Sequence, residues 1–466
     1  MAGNKYDITS SPIWADVKDI ISSDKKPVKY TYHGTLHTEK EDIPVLKLRT
    51  IDVARDYVNK IGDEIQIEFM MGMGDYVARL YPYRTNLEFT IKKTLLQETT
   101  DSHEPDTPAY TEKYKAIFLP DLNVSPAGTS IEQIDTESLN LADLVNVKLQ
   151  LIDRSLEPLR IKTVCGVFRG VTAHKLIHAL LVGESSKVSV EGRPAIDGAD
   201  IVEPDNKTAR SHVIPSGTLI AGLPTYIHET GGGVYTTGIG TYLQSYKKKK
   251  LWFVYPLFNT RRFDKSQDNK LIVYAVPEGR LDGVDRSYAM DGTVLKVVIG
   301  SDKQYEDSAD TDYINYGSGF RMADARAMMK KPVKLSDEGP KASRGRLNFE
   351  VVAEERKDGL NYAPTVATPS SNPYKEYSKI TQRNIAKISL KWENADPDLI
   401  YPGMPCKYVF TDEGKIVELK GTVGFIHAFT TLQSNGIMGN TSRTVCSVVL
   451  LCEQKPATRE VTALEA

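Results

Sequence analysis

Residues 231–258, GGGVYTTGIGTYLQSYKKKKLWFVYPLF, bring glycines, four consecutive lysines and aromatic residues into one short stretch. A glycine-rich loop followed by a basic residue can bind phosphate, because its backbone N–H groups cradle the oxygens. The phosphate-binding loop requires the pattern G-x-x-x-x-G-K-[ST]. Gly233 and Gly238 have the glycine spacing, but Ile239 and Gly240 stand where lysine and a hydroxyl residue should follow. The dinucleotide-binding pattern also fails, because no third glycine follows Gly240 at the required distance.

The same stretch fits a β-hairpin better. TYLQSY and LWFVYPL are typical of two strands, and Lys247–Lys250 lie between them. A four-residue loop is a common hairpin connection. Because four like charges repel one another and hydrate well, we expect all four lysines to point outward, where they can contact an acidic partner.

No other residue pattern predicts a catalytic, cofactor-binding or metal site. His174 and His178 are four residues apart on a predicted helix, but Lys175 stands where a metalloprotease has glutamate. The four cysteines, Cys165, Cys406, Cys446 and Cys452, form no CxxC pair, so neither a zinc site nor a disulfide framework is indicated. Sixty-one acidic residues make a chance carboxylate pair uninformative. We therefore expect no enzyme, no cofactor and no metal.

Bulk composition narrows the class of protein. The 466 residues exceed one ordinary core, and a net charge of −2 lacks the basic excess of proteins that bind nucleic acid along their surface. The N-terminus has no apolar signal region, and no window approaches the ~20 apolar residues of a membrane helix. These features predict a multidomain protein that is made and soluble in a cytoplasm.

Two successive units combine one helix with alternating strands. In the first, TIDVARDYVNKIG (residues 50–62) has helical spacing, and EIQIEFMM and NLEFTIKK alternate as half-buried strands around an MGMGD turn. In the second, LVNVKLQLID alternates, and TAHKLIHALLVG predicts a helix capped by Thr172 and closed by Gly183.

The middle and the C-terminal part of the chain contain further predicted strands and loops. The C-terminal segments AKISLKW, PGMPCKYVF, KIVELKGTVGFIHAF and RTVCSVVLLCE predict short β-strands. The middle contains predicted strands (KLIVYAV, TVLKVVIG), an acidic loop (DKQYEDSADTD), a helix-like FRMADARAMM and a Pro/Ser-rich connector. We predict these boundaries: an N-terminal arm that docks on another surface (1–26), the first unit (27–143), the first part of the second unit (144–260), an inserted mixed α/β region (261–377), C-terminal strands of the second unit (378–456) and a tail (457–466).

Three segments carry a family resemblance. They are residues 51–91, with Tyr81–Arg84 before an alternating strand, residues 212–244, with the turn Ile214–Gly217 and the run Gly233–Tyr242, and Phe253–Pro256. Together they resemble the central baseplate hub proteins of contractile-tailed bacteriophages over most of residues 30–260. The C-terminal PGM and GTVGFIHAF strands fit more loosely, and residues 261–377 match no family pattern.

The resemblance implies an α+β, mainly β fold with two tandem tail-tube-type β-barrel domains, each accompanied by a helix. It further implies a homotrimeric ring that adapts the six-fold tail tube to the three-fold central spike and lets DNA pass without specific binding. Implied partners are the tail tube protein, the central spike protein and baseplate wedge or other baseplate proteins, with no membrane insertion. The implied location is the virion tail baseplate, after assembly in the host cytoplasm. The alternatives are a tail-associated cell-wall hydrolase and the hub part of a related secretion-system spike.

Overall fold

The computed structural model of the chain is mostly β-structure, which confirms the mainly β fold class. It describes residues 12–21, 30–45, 47–95, 109–119, 144–190, 193–194, 196–266, 269–276, 287–300, 303–307, 319–324, 347–353, 382, 385–412, 415–434, 440–453 and 457–460. The helices in these ranges are α1 (Pro12–Ile21), α2 (Met73–Asp75), α3 (Leu156–Ile161), α4 (Ala173–Ser185), α5 (Leu223–Thr230) and α6 (Arg262–Lys265). Shorter turns of π or 3₁₀ helix are Tyr76–Leu80, Tyr81–Tyr83, Ile220–Gly222 and Pro397–Leu399.

Seven strands build the first unit. They are β1 (Tyr30–His37), β2 (Asp42–Pro44), β3 (Lys47–Asp56), β4 (Glu64–Gly72), β5 (Leu87–Leu95), β6 (Tyr110–Phe118) and β7 (Leu144–Asp153). All pair antiparallel, in the order β3-β4-β7-β6-β5-β1-β2. Their inward side chains alternate along each strand and form one apolar cluster that includes Ile67, Phe69, Phe89 and Leu149.

The helix predicted at residues 50–62 is wrong. Residues up to Asp56 belong to β3, and turn residues follow. β3 is paired on both sides, with β4 and with a C-terminal strand, and its inward row includes Ile51 and Val53. Those β-branched residues fit a pleated, paired surface, so tertiary context outweighed a spacing that fits both periods. The predicted MGMGD turn begins instead within β4 and continues into α2 and the π turn.

The second unit surrounds α4 and α5. Its strands are β8 (Thr163–Thr172), β9 (Ser189–Val190), β10 (Arg193–Pro194), β11 (Gly198–Ile201), β12 (Ala209–Leu219), β13 (Ile239–Tyr246) and β14 (Lys249–Pro256). β8 and β12 form a two-stranded antiparallel ribbon, and β11, β14 and β13 form a separate three-stranded sheet. The predicted helix α4 is confirmed, and Thr172 lies at its N-cap position, but the Thr172 hydroxyl makes no capping hydrogen bond. The helix also continues two residues beyond Gly183, to Ser185.

The remaining strands are β15 (Lys270–Val276), β16 (Tyr288–Asp291), β17 (Val294–Gly300), β18 (Lys303–Asp307), β19 (Gly319–Asp324), β20 (Leu347–Ala353), β21 (Ile385–Glu393), β22 (Pro405–Asp412), β23 (Lys415–Ser434), β24 (Asn440–Glu453) and β25 (Ala457–Glu460). Most of them join the sheet of the first unit, whereas β19 and β20 form a separate two-stranded parallel sheet. β23 pairs with β3, β22, β24 and β25, so one large sheet runs from the first unit into the C-terminal strands. The predicted C-terminal strands and the strands KLIVYAV and TVLKVVIG are confirmed.

Two predictions for the middle of the chain are corrected. The helix-like FRMADARAMM begins as strand β19, and its remainder lies outside the described residues. The acidic loop contains strand β18, and residues 308–312 lie outside the described residues, as does the Pro/Ser-rich connector. The domain boundaries stay a prediction.

Part of the predicted N-terminal arm docks on its own chain. Helix α1 buries Ile13, Val17 and Ile20, spaced by four and three residues, on the face of β15 and β17. The hydroxyl of Tyr274 donates to Asp16 Oδ2 at 2.9 Å. Within the described residues, no helix is long and apolar enough to cross a membrane.

Candidate functional site

The glycine-rich stretch is a hairpin, as predicted, and its backbone donors are occupied. The N–H of Val234 donates to Nδ1 of His228 at 3.1 Å, and the N–H of Thr236 donates to Asp205 Oδ2 at 2.7 Å. Gly232 has a φ of 90°, a backbone conformation that only glycine adopts freely. The stretch is therefore a tight internal turn, and it presents no phosphate cradle.

The lysine run departs from the prediction in two ways. The connection between β13 and β14 is a two-residue turn, Lys247–Lys248, with φ values of 49° and 68°. Positive φ at both positions is the geometry that asparagine–glycine usually supplies in short hairpins. Lys247, Lys248 and Lys249 are exposed, but Lys250 is only 19% exposed and its Nζ donates to Asp153 Oδ2 at 2.6 Å. Only three of the four lysines therefore point outward.

Lys250 illustrates how burial and charge oppose each other. Burial alone would lower the pKa of its ammonium group, but the nearby carboxylate of Asp153 outweighs this and raises the pKa. The side chain thus remains charged inside the fold.

A buried polar junction lies where the first unit meets the C-terminal strands. Its centre is Arg55, on β3, whose side chain is 8% exposed. Nε donates to Asp63 Oδ2 at 3.1 Å, Nη1 to the carbonyl of Pro397 at 2.9 Å, and Nη2 to Asp398 Oδ1 at 2.9 Å. The planar guanidinium fork therefore binds two separate segments of the chain at once.

A second cation reaches the same acceptor from a different strand. Lys93, on β5, is 1% exposed, and its Nζ donates to Asp398 Oδ2 at 2.9 Å and lies 3.5 Å from Asp396 Oδ1. The ammonium also lies 4.1 Å from the ring centroid of Tyr30, within cation–π range. Asp398 thus receives one cation on each carboxylate oxygen, and the turn Asp396–Ile400 is held by two strands of the first unit.

The second unit holds the same turn through neutral groups. Gln244, on β13, donates from Nε2 to the carbonyl of Ile400 at 2.8 Å. Its Oε1 accepts from the hydroxyl of Tyr57 at 2.9 Å. The hydroxyl of Tyr242 donates to Asp63 Oδ1 at 3.0 Å. Three parts of the chain therefore meet at one turn, with their polar atoms paired to one another.

Burial and charge shift the pKa values of this junction in opposite directions. Burial would raise the pKa of Asp398, but the charges of Lys93 and Arg55 hold it well below the usual range. Burial would lower the pKa of Lys93, but Asp398 and Asp396 raise it. Burial raises the pKa of Asp63, against the opposing effect of Arg55. Lys93 and Asp398 thus stabilise each other's charged forms, whereas burial disfavours the charged form of Asp63.

A cavity of about 360 Å³ lies beside the junction. Arg55, Asp63 and Asp398 line it, together with Lys250 and the lysine turn. Three of its other carboxylates are already bound: Asp153 by Lys250, Glu112 by the hydroxyl of Ser245 at 3.0 Å and Asp197 by the N–H of Lys250 at 2.7 Å. The carboxylates that line the cavity therefore all have hydrogen-bond partners within its wall.

The residues considered for metal or thiol chemistry lie apart. His174 is part-buried on α4, where burial lowers its pKa, and His178 is exposed on the same helix. Among the residues that the structure describes, no group of three His, Cys, Asp or Glu side chains could hold a metal ion. Cys406, Cys446 and Cys452 are buried and Cys165 is exposed, all as free thiols. Burial raises the pKa of Cys446 to about 12, which is typical of an inert thiol.

An exposed apolar surface lies on the two-stranded ribbon. Val167 on β8 and Val213 on β12 are cross-strand partners, and each is 62% exposed. Leu219 and Ile161 are exposed nearby, so four of the eight exposed large hydrophobic side chains of the described chain lie at this ribbon. Its inward residues Val164 and Ile214 are buried in the core below. Val167 and Val213 thus form an exposed apolar cross-strand pair on the outer face of the ribbon.

Sequence reasoning missed the junction although a signal was present. The alternation that identifies NLEFTIKK as a strand places Lys93 on the same side as Leu87, Phe89 and Ile91. A lysine at an inward position requires a buried acidic partner. Its partner Asp398 lies 305 residues away in the sequence, and no local pattern connects them.

Comparison with known proteins gives several structural similarities, of which three are described here. No protein-family model matches the sequence, and the search of curated proteins finds no match. The chain is similar to a 43 kDa tail protein of prophage MuSo2 from Shewanella oneidensis, with 10% identity and a TM-score of 0.44, covering 90% of this chain and 96% of that one. It is also similar to a Francisella PdpA–VgrG complex, with 6% identity and a TM-score of 0.40, covering 95% of this chain and 56% of that one.

The third similarity is to an E. coli component of the type VI secretion system that is described as structurally similar to T4 bacteriophage tail proteins. The identity is 9% and the TM-score is 0.37, covering 89% of this chain and 76% of that one. The three are thus described as a prophage tail protein, a PdpA–VgrG complex and a component of a secretion system. Because every TM-score lies below 0.5, we carry over no residue equivalence from them.

Proposed function

We propose that this chain is a structural hub of a bacteriophage contractile-tail baseplate, without enzymatic activity. In this proposal three copies form a ring that adapts a six-fold tail tube to a three-fold central spike and lets DNA pass. The observation that carries it is the junction of β3 with β23 above the turn Asp396–Ile400. It holds the first unit against the C-terminal strands, as an adaptor that transmits force between tube and spike needs.

Two further features support the proposal. The apolar ribbon offers a surface for contact between copies, because Val167 and Val213 are exposed on a sheet face whose opposite side is buried. A net charge of −2 suits a lumen that lets DNA slide, since several basic phosphate contacts would hold it tightly. Partners in this proposal are the tube, the spike and other baseplate proteins, and the chain resides in the virion after assembly in the host cytoplasm.

Two other functions are alternatives. A tail-associated hydrolase would need an unpaired carboxylate pair in a groove, and the cavity beside the junction has its carboxylates bound within the wall. The hub of a related secretion-system spike would share the architecture and differ in what it is mounted on.

The deciding experiment measures the mass of the full chain in solution and its activity. Native mass spectrometry should give a trimer, and the protein should release no product from peptidoglycan. The double variant Val167→Asp and Val213→Asp should lower the fraction of trimer. Leu144→Asp is the matched control, because Leu144 is also exposed but lies on β7, outside the ribbon.

Three results would separate the alternatives. A chain that stays monomeric at every concentration and cleaves peptidoglycan supports the hydrolase. Density of the assembled particle that places the chain on a secretion apparatus supports the spike hub. If the trimer persists in the variant with the ribbon substitutions, the ring is supported, but the interface between copies lies elsewhere on the chain.

A further inference from the structure

The pairing of β3 with β23 has an apolar pattern that more than one register would satisfy. In the observed register, inward residues Ile51, Val53 and Arg55 lie opposite Thr430, Ala428 and Ile426. A slip of two residues keeps the same faces inward, since side chains alternate with period two. It would place Ile51 opposite Leu432 and Val53 opposite Thr430. Hydrophobic burial alone therefore separates these registers poorly.

The buried charges do not tolerate that slip. Moving β3 by two residues shifts Arg55 by roughly 6–7 Å along the strand. The hydrogen bonds of 2.9 Å to the Pro397 carbonyl and to Asp398 would then be lost, and the guanidinium would lie opposite Ala428. Lys93 lies in the same unit as β3 and would move away from Asp398 and Asp396, while Arg55 would keep only Asp63, which follows β3 in the chain. The slip would therefore leave the carboxylates of Asp396 and Asp398 without their cations. An unpaired buried charge is strongly unfavourable, whereas a paired one contributes little net stability.

We propose that the network of Arg55, Lys93, Asp63, Asp396 and Asp398 is a register lock: it selects one alignment of β3 against β23 and thereby one geometry of the first unit against the C-terminal strands. Polar groups that fix alignment at the expense of stability have this role in coiled coils. The inference rests on strand pairing within one chain and does not require the hub proposal.

The test reads the register by disulfide formation during refolding. The background replaces all four native thiols, because each of them is accessible while the chain is unfolded: Cys165→Ser, Cys406→Ala, Cys446→Ala and Cys452→Ala. The native reporter is Ala54→Cys with His427→Cys, which are partners in the observed register. The slipped reporter is Ala54→Cys with Phe429→Cys, which become partners after a shift of two residues. Peptide mass spectrometry measures the yield of each disulfide.

The variant that removes the lock is Arg55→Met, Lys93→Met, Asp398→Leu, Asp63→Asn and Asp396→Asn. With the wild-type network, we expect the native disulfide and only background yield of the slipped one. In the neutralised variant the slipped yield should rise by roughly tenfold or more, because the unpaired charge no longer penalises that register. An unchanged slipped yield in the folded variant would overturn the proposal.

A milder variant covers the case in which five substitutions prevent folding. Lys93→Met with Asp398→Asn keeps Arg55 on Asp63 and on the Pro397 carbonyl, and it should show a smaller rise in the slipped yield. The matched control is Arg79→Met with Glu41→Leu, which removes a surface pair of 2.7 Å remote from β23. An equal rise in that control would show that general destabilisation, and not the network, sets the register.

Discussion

The polar junction and the apolar ribbon both depart from the usual burial pattern: the junction buries charged side chains, and the ribbon exposes apolar ones. At the junction, the buried side chains of Arg55, Lys93 and Asp396 pair with the part-exposed carboxylates of Asp63 and Asp398 and hold three parts of the chain together. At the ribbon, the apolar side chains of Val167 and Val213 face solvent. The difference teaches where each surface acts. The junction satisfies its charges within one molecule, whereas the ribbon leaves apolar area for another.

The largest expected effect is at the junction. Lys93→Met removes one cation from Asp398 and Asp396 and leaves their charges under-compensated in the interior. Breaking one partner of a buried ionic network costs about 3–5 kcal/mol of unfolding free energy. Urea unfolding at neutral pH measures the change. Lys92→Met is the control, because Lys92 is the residue next to Lys93 and its side chain is exposed. An equal loss of unfolding free energy in both variants would contradict the role of Lys93.

The junction should also make the free energy of unfolding depend on pH in the acidic range. The folded pKa of Asp398 is depressed, so its contribution is present above the unfolded pKa of about 3.9 and disappears as the pH falls toward the folded value. We expect the urea midpoint of the wild type to fall below about pH 4 more steeply than that of Asp398→Asn. Parallel pH profiles of the two proteins would show that this carboxylate is not responsible.

An intermediate effect is expected at the rim of the cavity. Lys250→Met leaves Asp153 without its ammonium partner and should cost about 1–3 kcal/mol, the range for a lost charged hydrogen bond. Lys249→Met, one residue earlier and exposed, should change stability by less than about 0.5 kcal/mol. Thermal melts of both variants test whether Lys250 contributes to stability and Lys249 does not.

The smallest effect on folding is expected at the ribbon. Val213→Asp replaces a side chain that is 62% exposed, so we expect a loss of unfolding free energy of about 1 kcal/mol or less. Its effect on the association of copies should be much larger than its effect on melting. If Val213→Asp lowered the melting temperature as much as Lys93→Met does, the ribbon would matter for folding as the junction does, and the proposed difference between the two regions would be wrong.

Sequence reasoning identified the strands whose alternation is strict. NLEFTIKK and LVNVKLQLID became β5 and β7 because one face of each is apolar and the other polar. The stretch TIDVARDYVNKIG was misread as a helix because Ile51, Ala54, Tyr57, Val58 and Ile61 have helical spacing, although Ile51 and Val53 also share one face of a strand. What decided the outcome was pairing with β23, more than 360 residues later in the chain. No local pattern carries that information.

The candidate site was less predictable for the same reason. Arg55 and Asp398 are 343 residues apart, and each alone resembles an ordinary charged residue. The lysine hairpin was foreseen because its signal is local, but the pairing of Lys250 with Asp153 spans 97 residues and was missed. Local chemistry therefore predicts turns and strands, whereas long-range charge pairing becomes visible only in the folded chain.

The placement of the four thiols offers an experimental handle. Cys165 is exposed on β8, beside the apolar side chains of the ribbon, while the other three are shielded by the core. A maleimide-linked fluorophore should therefore attach at one known position without engineering. Its emission would respond to whatever covers the ribbon, so complex formation could be followed in real time on the natural sequence.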